Sequence, residues 1–208
     1  MDKLSIVFDF GGVLIDWDPR YLYRKLFNGD EQAMERFFRE VDFFGWNLYQ
    51  DAGRSFDIAV AEACQKHPQY CEQIRAYDER YLETINGQID GSVAILYRLK
   101  QSGYPLYGLS NWSAETFRFF SPKHEFFSWF DDILVSGEVK MVKPDPRIFA
   151  VFLERIGRSA AECLLIDDSQ ANLTVAARLG FKTIHFQSPE QLEAALKQFG
   201  LLDNSYQA

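Results

Sequence analysis

Leu4-Ser5-Ile6-Val7-Phe8-Asp9-Phe10-Gly11-Gly12-Val13 decides how the rest of the chain is read. A short apolar run that ends on a polar residue and a glycine pair reads as a buried parallel strand meeting a loop, where backbone turns sharply or approaches a ligand. The strand therefore lifts one carboxylate, Asp9, off a buried edge, which is how a carboxylate nucleophile is built. Taken alone, the segment also reads as an ordinary strand end with a turn.

Three further segments change that balance. Tyr104-Pro105-Leu106-Tyr107-Gly108-Leu109 is strand-like and delivers Ser110 and Asn111, whose hydroxyl and carboxamide can donate hydrogen bonds to phosphate oxygens. Gly137-Glu138-Val139-Lys140-Met141-Val142-Lys143-Pro144-Asp145-Pro146 places Lys143, a compact positive charge, just before a proline-marked helix start. Cys163-Leu164-Leu165-Ile166 is a buried strand closing on Asp167-Asp168-Ser169, with Asn172 a helical turn later, and paired acids suit a hard cation held by oxygen. Singly, Ser110-Asn111 reads as a helix N-cap, Lys143 as a solvated charge and the two acids as helix caps. Together they are ordered, and three of the four lie where an apolar strand ends. Strand ends of a parallel sheet share one edge, and that edge binds ligands.

Helix and strand alternate through the second half of the chain. We expect helices over 92–101, 113–120, 147–156, 171–179 and 189–199, and strands over 106–109, 133–135, 164–166 and 183–186. Such alternation implies an α/β, Rossmann-like parallel sheet with helices on both faces. Between Trp17 and Gly87 the strand signals give way to helical periodicity, as in Met34, Phe37 and Phe38. We therefore expect an inserted all-helical cap over residues 17–87 and a catalytic core over 1–16 and 88–208. Ser55 reads as the N-cap of a cap helix, and Asn86-Gly87 with Ile89-Asp90-Gly91 as the return hinge.

The quoted segments resemble the haloacid dehalogenase-like hydrolase superfamily, in the phosphatase-like branch with a helical cap inserted soon after the first strand. The resemblance spans nearly the whole chain in order. It implies a magnesium-dependent phosphoric monoester hydrolase with Asp9 as nucleophile and Ser110 and Lys143 as catalytic partners. It also implies Gly12, Ser110, Asn111 and Lys143 as substrate contacts, and Mg2+ held by Asp9, the carbonyl of Gly11, Asp167 and Asp168. The implied substrate is a small phosphorylated metabolite, released through an aspartyl-phosphate intermediate.

Position 11 departs from the common phosphatase pattern, in which a second Asp protonates the leaving group and later activates water. A glycine there resembles the hexose-1-phosphate phosphatases, whose anomeric leaving group is more acidic than an ordinary alcohol; this points to a sugar 1-phosphate. Asp16 or Asp18 is a candidate for the missing proton, although Asp18 also suits the N-cap of a helix starting at Pro19. A 2-haloacid dehalogenase using Asp9 without metal is the competing enzyme reading, with Leu14, Ile15 and the aromatic-rich insert as an apolar halide pocket. It has no need of the acidic pair, which is costly to bury without a cation or donors. A metabolite-binding or regulatory protein that has lost turnover is a third reading.

Composition bounds the rest. At 208 residues and 47% hydrophobic content the chain can bury one domain plus a modest insert. A net charge of −8 argues against nucleic acid as partner, because phosphate backbones reward clustered Lys and Arg. No apolar run approaches a membrane span and the amino terminus lacks a signal pattern, so a cytoplasmic location is expected; protein partners are not indicated. Cys64, Cys71 and Cys163 are odd in number and lack metal or redox spacing, so they are expected to be small apolar filler. The three histidines are assigned no chemistry. Phe43-Phe44-Gly45-Trp46-Asn47-Leu48-Tyr49 is expected to pack the cap, with Trp46 or Trp17 able to stack on a sugar if turned to the cleft. The polar tail after Leu202 reads as frayed.

Overall fold

The computed structural model describes residues 3–203 of the chain, so the tail beyond 203 lies outside the described residues. Five parallel strands form the main sheet: β1 (Ser5–Phe8), β4 (Leu106–Ser110), β5 (Asp132–Val135), β6 (Cys163–Asp167) and β7 (Lys182–His185), side by side in the order β5-β4-β1-β6-β7. Two shorter strands, β2 (Ile15–Trp17) and β3 (Ile85–Gln88), pair antiparallel.

Alternation along β1 explains the layering. Ile6 and Phe8 point to one face, where they meet Leu96 and Leu99 of α6 (Asp90–Gln101) and Leu192 and Leu196 of α11 (Pro189–Gln198). Val7 points to the other, against Phe149 and Phe152 of α9 (Pro146–Ile156) and Leu173 and Ala176 of α10 (Gln170–Arg178). A strand covered on both sides has no polar face to offer, hence the unbroken apolar run. This is the α/β parallel sheet with helices on both faces expected above. Helix α9 begins as the sequence suggests: the Asp145 side chain accepts from the Arg147 N–H, Pro146 occupies the first turn, and Gly157 ends the helix at φ 63°.

Between β2 and β3 lie α1 (Arg20–Leu26), α2 (Glu31–Val41), α3 (Phe43–Asp51), α4 (Phe56–Lys66) and α5 (Cys71–Glu79). On α2 the buried Met34, Phe37, Phe38 and Val41 fall at i, i+3, i+4 and i+7, one apolar stripe on a helix capped by Asp30. That stripe joins Tyr23, Phe43, Trp46 and Tyr77 in an apolar cluster separate from those of the sheet, an inserted helical cap with its own core.

Several local expectations need correction. Asn86-Gly87 is part of strand β3 rather than a bare hinge, because three- and four-residue strands are too short for alternation to register. Ser55 stands before α4, but its hydroxyl makes no capping hydrogen bond. Cys64 and Cys71 are bonded to each other, with Cα atoms 4.5 Å apart, because the turn at Pro68–Tyr70 folds α5 back onto α4. Cys163 is free and buried, and burial pushes its thiol up to about 11. Among the described residues no helix is long and apolar enough to cross a membrane.

Phe10 anchors the loop after β1. Its fully buried ring meets Phe117, Phe127, Phe130 and Trp112 and lies over Gly108, where a Cβ would come within 2.3 Å of the ring. Phe10→Ala is expected to lower unfolding free energy by about 3–5 kcal/mol, read from the midpoint of chemical denaturation.

Candidate active site

The site assembles where the sheet changes direction. β1 lies between β4 and β6, so connections leave to opposite sides there, and a crevice opens at the carboxyl ends of the strands. Phe8 pairs in register with Ile166, and the Asp9 N–H donates to the Ile166 carbonyl at 2.9 Å, so Asp9 and Asp167 leave the sheet side by side. Ser110 ends β4 on the other flank. Its hydroxyl donates to Asp9 Oδ1 at 2.7 Å, and the Phe10 N–H donates to the same oxygen at 2.7 Å.

Lys143 follows α8 (Ser136–Val139) in the loop leading to α9 and has a fully buried ammonium. Nζ lies 2.9 Å from Asp9 Oδ2 and 2.6 Å from Asp167 Oδ2, and donates to the Leu109 carbonyl at 2.8 Å. All three of its protons are engaged. Burial works against its charge, but the two carboxylates outweigh burial and its pKa is raised. Asn111, expected to contact phosphate, has its carboxamide engaged otherwise: Nδ2 donates to the Lys143 carbonyl at 2.9 Å and Oδ1 accepts from the Lys143 N–H at 2.7 Å. It fixes the lysine loop, across a cis Lys143–Pro144 peptide.

The acids differ in what they have left to offer. Asp167 accepts from Lys143, from the Ser169 N–H at 2.8 Å, and from Asn172 Nδ2 at 3.0 and 3.1 Å on its two oxygens, which uses its lone pairs. Asp168 is exposed beside Gly12, where a Cβ would lie 2.3 Å from Asp168 Oδ2; Gly12 also has φ 73°. Asp9, Asp167 and Asp168 can each bring one oxygen within 4.8 Å of the others. One ammonium faces three carboxylates, which leaves negative charge in excess. Burial, with Asp167 adding and Lys143 opposing, pushes Asp9 up to about 7; burial and Asp167 raise Asp168 as well. Hard oxygen donors crowded with surplus negative charge fit a divalent cation. Of the three, Asp9 and Asp168 have fewer protein partners than Asp167 and could turn an oxygen to one.

A cavity of about 60 Å3 is bounded by Gly11, Asn111 and Trp112 of the core, in the loops that follow Asp9 and Ser110, and by Trp17, Asn47, Asp51 and Tyr81 from the cap side. Trp17 thus faces the cleft. Trp46 packs in the cap, its indole N–H donating to the Ala59 carbonyl at 3.2 Å. Leu14 and Ile15, considered as a halide pocket, are fully buried in the main core and do not border this cavity. Asp16 accepts from the Tyr21 hydroxyl and from Asn86, and Asp18 from the Arg20 N–H, so both have partners elsewhere. Asp51 and Tyr81 were missed in the sequence. A single acid before Ala52-Gly53 at a helix end carries no signal of its own, and only the fold turns it towards the strand edge.

Residues 5–180 match the haloacid dehalogenase-like hydrolase family, and the chain belongs to it. It is 25% identical to pyrophosphatase PpaX of Bacillus velezensis over 86% of this chain and 81% of that protein. It is 28% identical to (S)-2-haloacid dehalogenase 4A of Burkholderia cepacia over 92% of this chain and 87% of that protein. A match of 28% identity to drimenol cyclase drtB of Aspergillus calidoustus covers 56% of this chain and spans only 20% of that protein. HAD family enzyme bt-2542 of Bacteroides thetaiotaomicron superposes with a TM-score of 0.74 at 24% identity, over 90% of this chain and 95% of that one, a likeness of fold alone. The bt-2542 enzyme has also been crystallised with magnesium and inorganic phosphate.

Gly12→Ala is expected to displace the Asp168 carboxylate. Calorimetric titration with Mg2+ should then show affinity reduced by on the order of 10-fold or more relative to the parent chain, the range seen when groups orienting a metal ligand are lost.

Proposed function

We propose that this hydrolase is a magnesium-dependent phosphatase acting on a small phosphorylated metabolite, with Asp9 as covalent nucleophile. The observation that carries the reading is the surplus of acid at the strand edge: three carboxylates within 4.8 Å against one ammonium. Asp9, Asp168 and the Gly11 carbonyl would hold the cation, and Asp167 would hold Lys143 and its loop in place. A bound divalent cation supplies charge neutralisation, so that an anionic phosphate can approach an anionic carboxylate.

The chain's own residues account for the remaining steps. The Phe10 N–H and the Ser110 hydroxyl fix Asp9 Oδ1, and Lys143 anchors Oδ2 while leaving it a lone pair. That carboxylate attacks phosphorus in line, the P–O bond to the leaving group breaks, and an aspartyl phosphate forms. As Asp9 Oδ2 bonds to phosphorus, the Lys143 proton it has held would turn to a phosphoryl oxygen, while Ser110 keeps Asp9 Oδ1 in place. Water then attacks the same phosphorus, releases phosphate and restores Asp9. Gly11 has no side chain to protonate the leaving oxygen, and taken alone this would confine the enzyme to acidic leaving groups such as the anomeric hydroxyl of a sugar 1-phosphate.

A metal-free 2-haloacid dehalogenase is the second reading, favoured by the alignment with the Burkholderia enzyme over 92% of this chain. Against it, without a cation Asp168 would add its repulsion of a carboxylate substrate to that of Asp9 and Asp167, with one ammonium facing all three.

4-Nitrophenyl phosphate is expected to be hydrolysed with Mg2+, with loss of activity on chelation, and Asp9→Asn is expected to lower turnover on the order of 10⁴-fold or more. Chloride release from a 2-haloacid in chelator would favour the dehalogenase. Failure to turn over either substrate would favour a binding protein that has lost catalysis.

A further inference from the structure

We propose that Asp51, at the carboxyl end of cap helix α3, is the general acid and base of this site and performs from the cap what Gly11 has no side chain to do. The proposal rests on the phosphatase reading above.

Expulsion of an oxygen anion from phosphorus is assisted by a nearby proton donor, and the cavity that reaches Gly11, two residues past Asp9, narrows the choice. Of the side chains that border it, Trp17, Trp112 and the two asparagines carry no proton that ionises usefully in water. Burial holds the phenol of Tyr81 far above its usual range. Asp51 is the carboxyl group among the lining residues. At Gly11, on the opposite side, a Cβ would meet nothing within 4 Å, so there is open space between the loop after β1 and the cap.

Asp51 is held as a working group would be. The Asn47 carboxamide donates to Asp51 Oδ2 at 3.1 Å, and Asn47 is fixed in turn by the Tyr77 hydroxyl, which donates to Asn47 Oδ1 at 2.8 Å. Its main chain is fastened to the core, because the Ser136 hydroxyl donates to the Asp51 carbonyl while accepting from the Trp112 N–H at 3.0 Å. Just beyond, Gly53 brings the cap so close to α8 that a Cβ would lie 2.9 Å from the Gly137 carbonyl. The groups acting on the carboxyl are few: burial raises its pKa, the Ser113 N–H lowers it, Asp9 raises it, and the outcome is about 7. The neighbouring phenols of Tyr77 and Tyr81 are held neutral by burial. An acid poised near neutrality can both give a proton and take one back.

The step balances. As Asp9 Oδ2 bonds to phosphorus and the P–O bond to the leaving group breaks, the Asp51 proton passes to the departing oxygen, which leaves as an alcohol. The Asp51 carboxylate then removes a proton from water, whose oxygen bonds to phosphorus as the Asp9–phosphorus bond breaks. Phosphate departs and Asp51 is protonated again. With this group in place, substrates need not be limited to anomeric phosphates.

The test is a series of substituted phenyl phosphates differing in leaving-group acidity, followed by kcat/KM with Mg2+, which reports only the first irreversible step. Asp51→Asn is expected to steepen the dependence on leaving-group acidity, with phenyl phosphate losing about 10²-fold more than its nitro-substituted analogues. Adding Gly11→Asp to Asp51→Asn is expected to flatten the dependence again. If the amide variant does not fold, Asp51→Ala is compared in the same series. Equal losses across the series, or no change in slope in a folded variant, would overturn the proposal. Absence of hydrolysis of any member by the parent chain would instead overturn the phosphatase reading itself.

Discussion

Three carboxylates meet at one sheet edge with a single buried ammonium between two of them, and the local architecture follows from keeping that arrangement tolerable. A buried carboxylate without a partner is expensive, and removing one member of such a pair typically costs several kcal/mol. Asp167 is therefore surrounded: Lys143, Asn172 and the Ser169 N–H together use both of its oxygens. Asn111 in turn holds the main chain of Lys143. Satisfying Asp167 fully leaves Asp9 and Asp168 under-compensated, and that residual charge is what a divalent ion and an anionic substrate would share. The protein places its unbalanced charge on the groups with room for ligands.

Packing supplies the rigidity. Phe10, one residue past Asp9, is clamped by an aromatic cluster and lies on Gly108, so the peptide that follows Asp9 is held in place. The cap has its own aromatic core around Tyr23, Phe37 and Phe43, and reaches the site through the end of α3 and the β2–β3 pair. Residues of the cap that border the cavity are tied to the core as well: Trp17 and Tyr81 pack against the cluster that holds Phe10, and Ser136 holds the Asp51 carbonyl.

Much of this was readable in the sequence, for physical reasons that differ by residue. Asp9, Ser110 and Asp167 announce themselves because a polar residue ending a fully apolar run marks a strand end, and parallel strands bring their ends to one edge. Lys143 was readable from the proline-marked helix start that follows it. The function of the Asn111 carboxamide was not, because its partner lies 32 residues away in a loop whose path only the fold determines. The Cys64–Cys71 bond depends on a turn that folds two helices together, which residue spacing alone does not reveal. Asp51 belongs to the same class: an acid at the end of a helix is ordinary until tertiary structure turns it towards the cavity.

Trapping phosphorus on Asp9 tests the proposed covalent mechanism most directly. Turnover of an aryl phosphate would be quenched in acid, the protein digested, and the peptide containing Asp9 examined by mass spectrometry. A phosphoryl group is expected on Asp9 when Mg2+ is present and is expected to be missing in chelator. A peptide that stays unmodified while phosphate is released would rule out Asp9 as the nucleophile, and a phosphoryl group that forms equally well without the cation would rule out the role given to the metal.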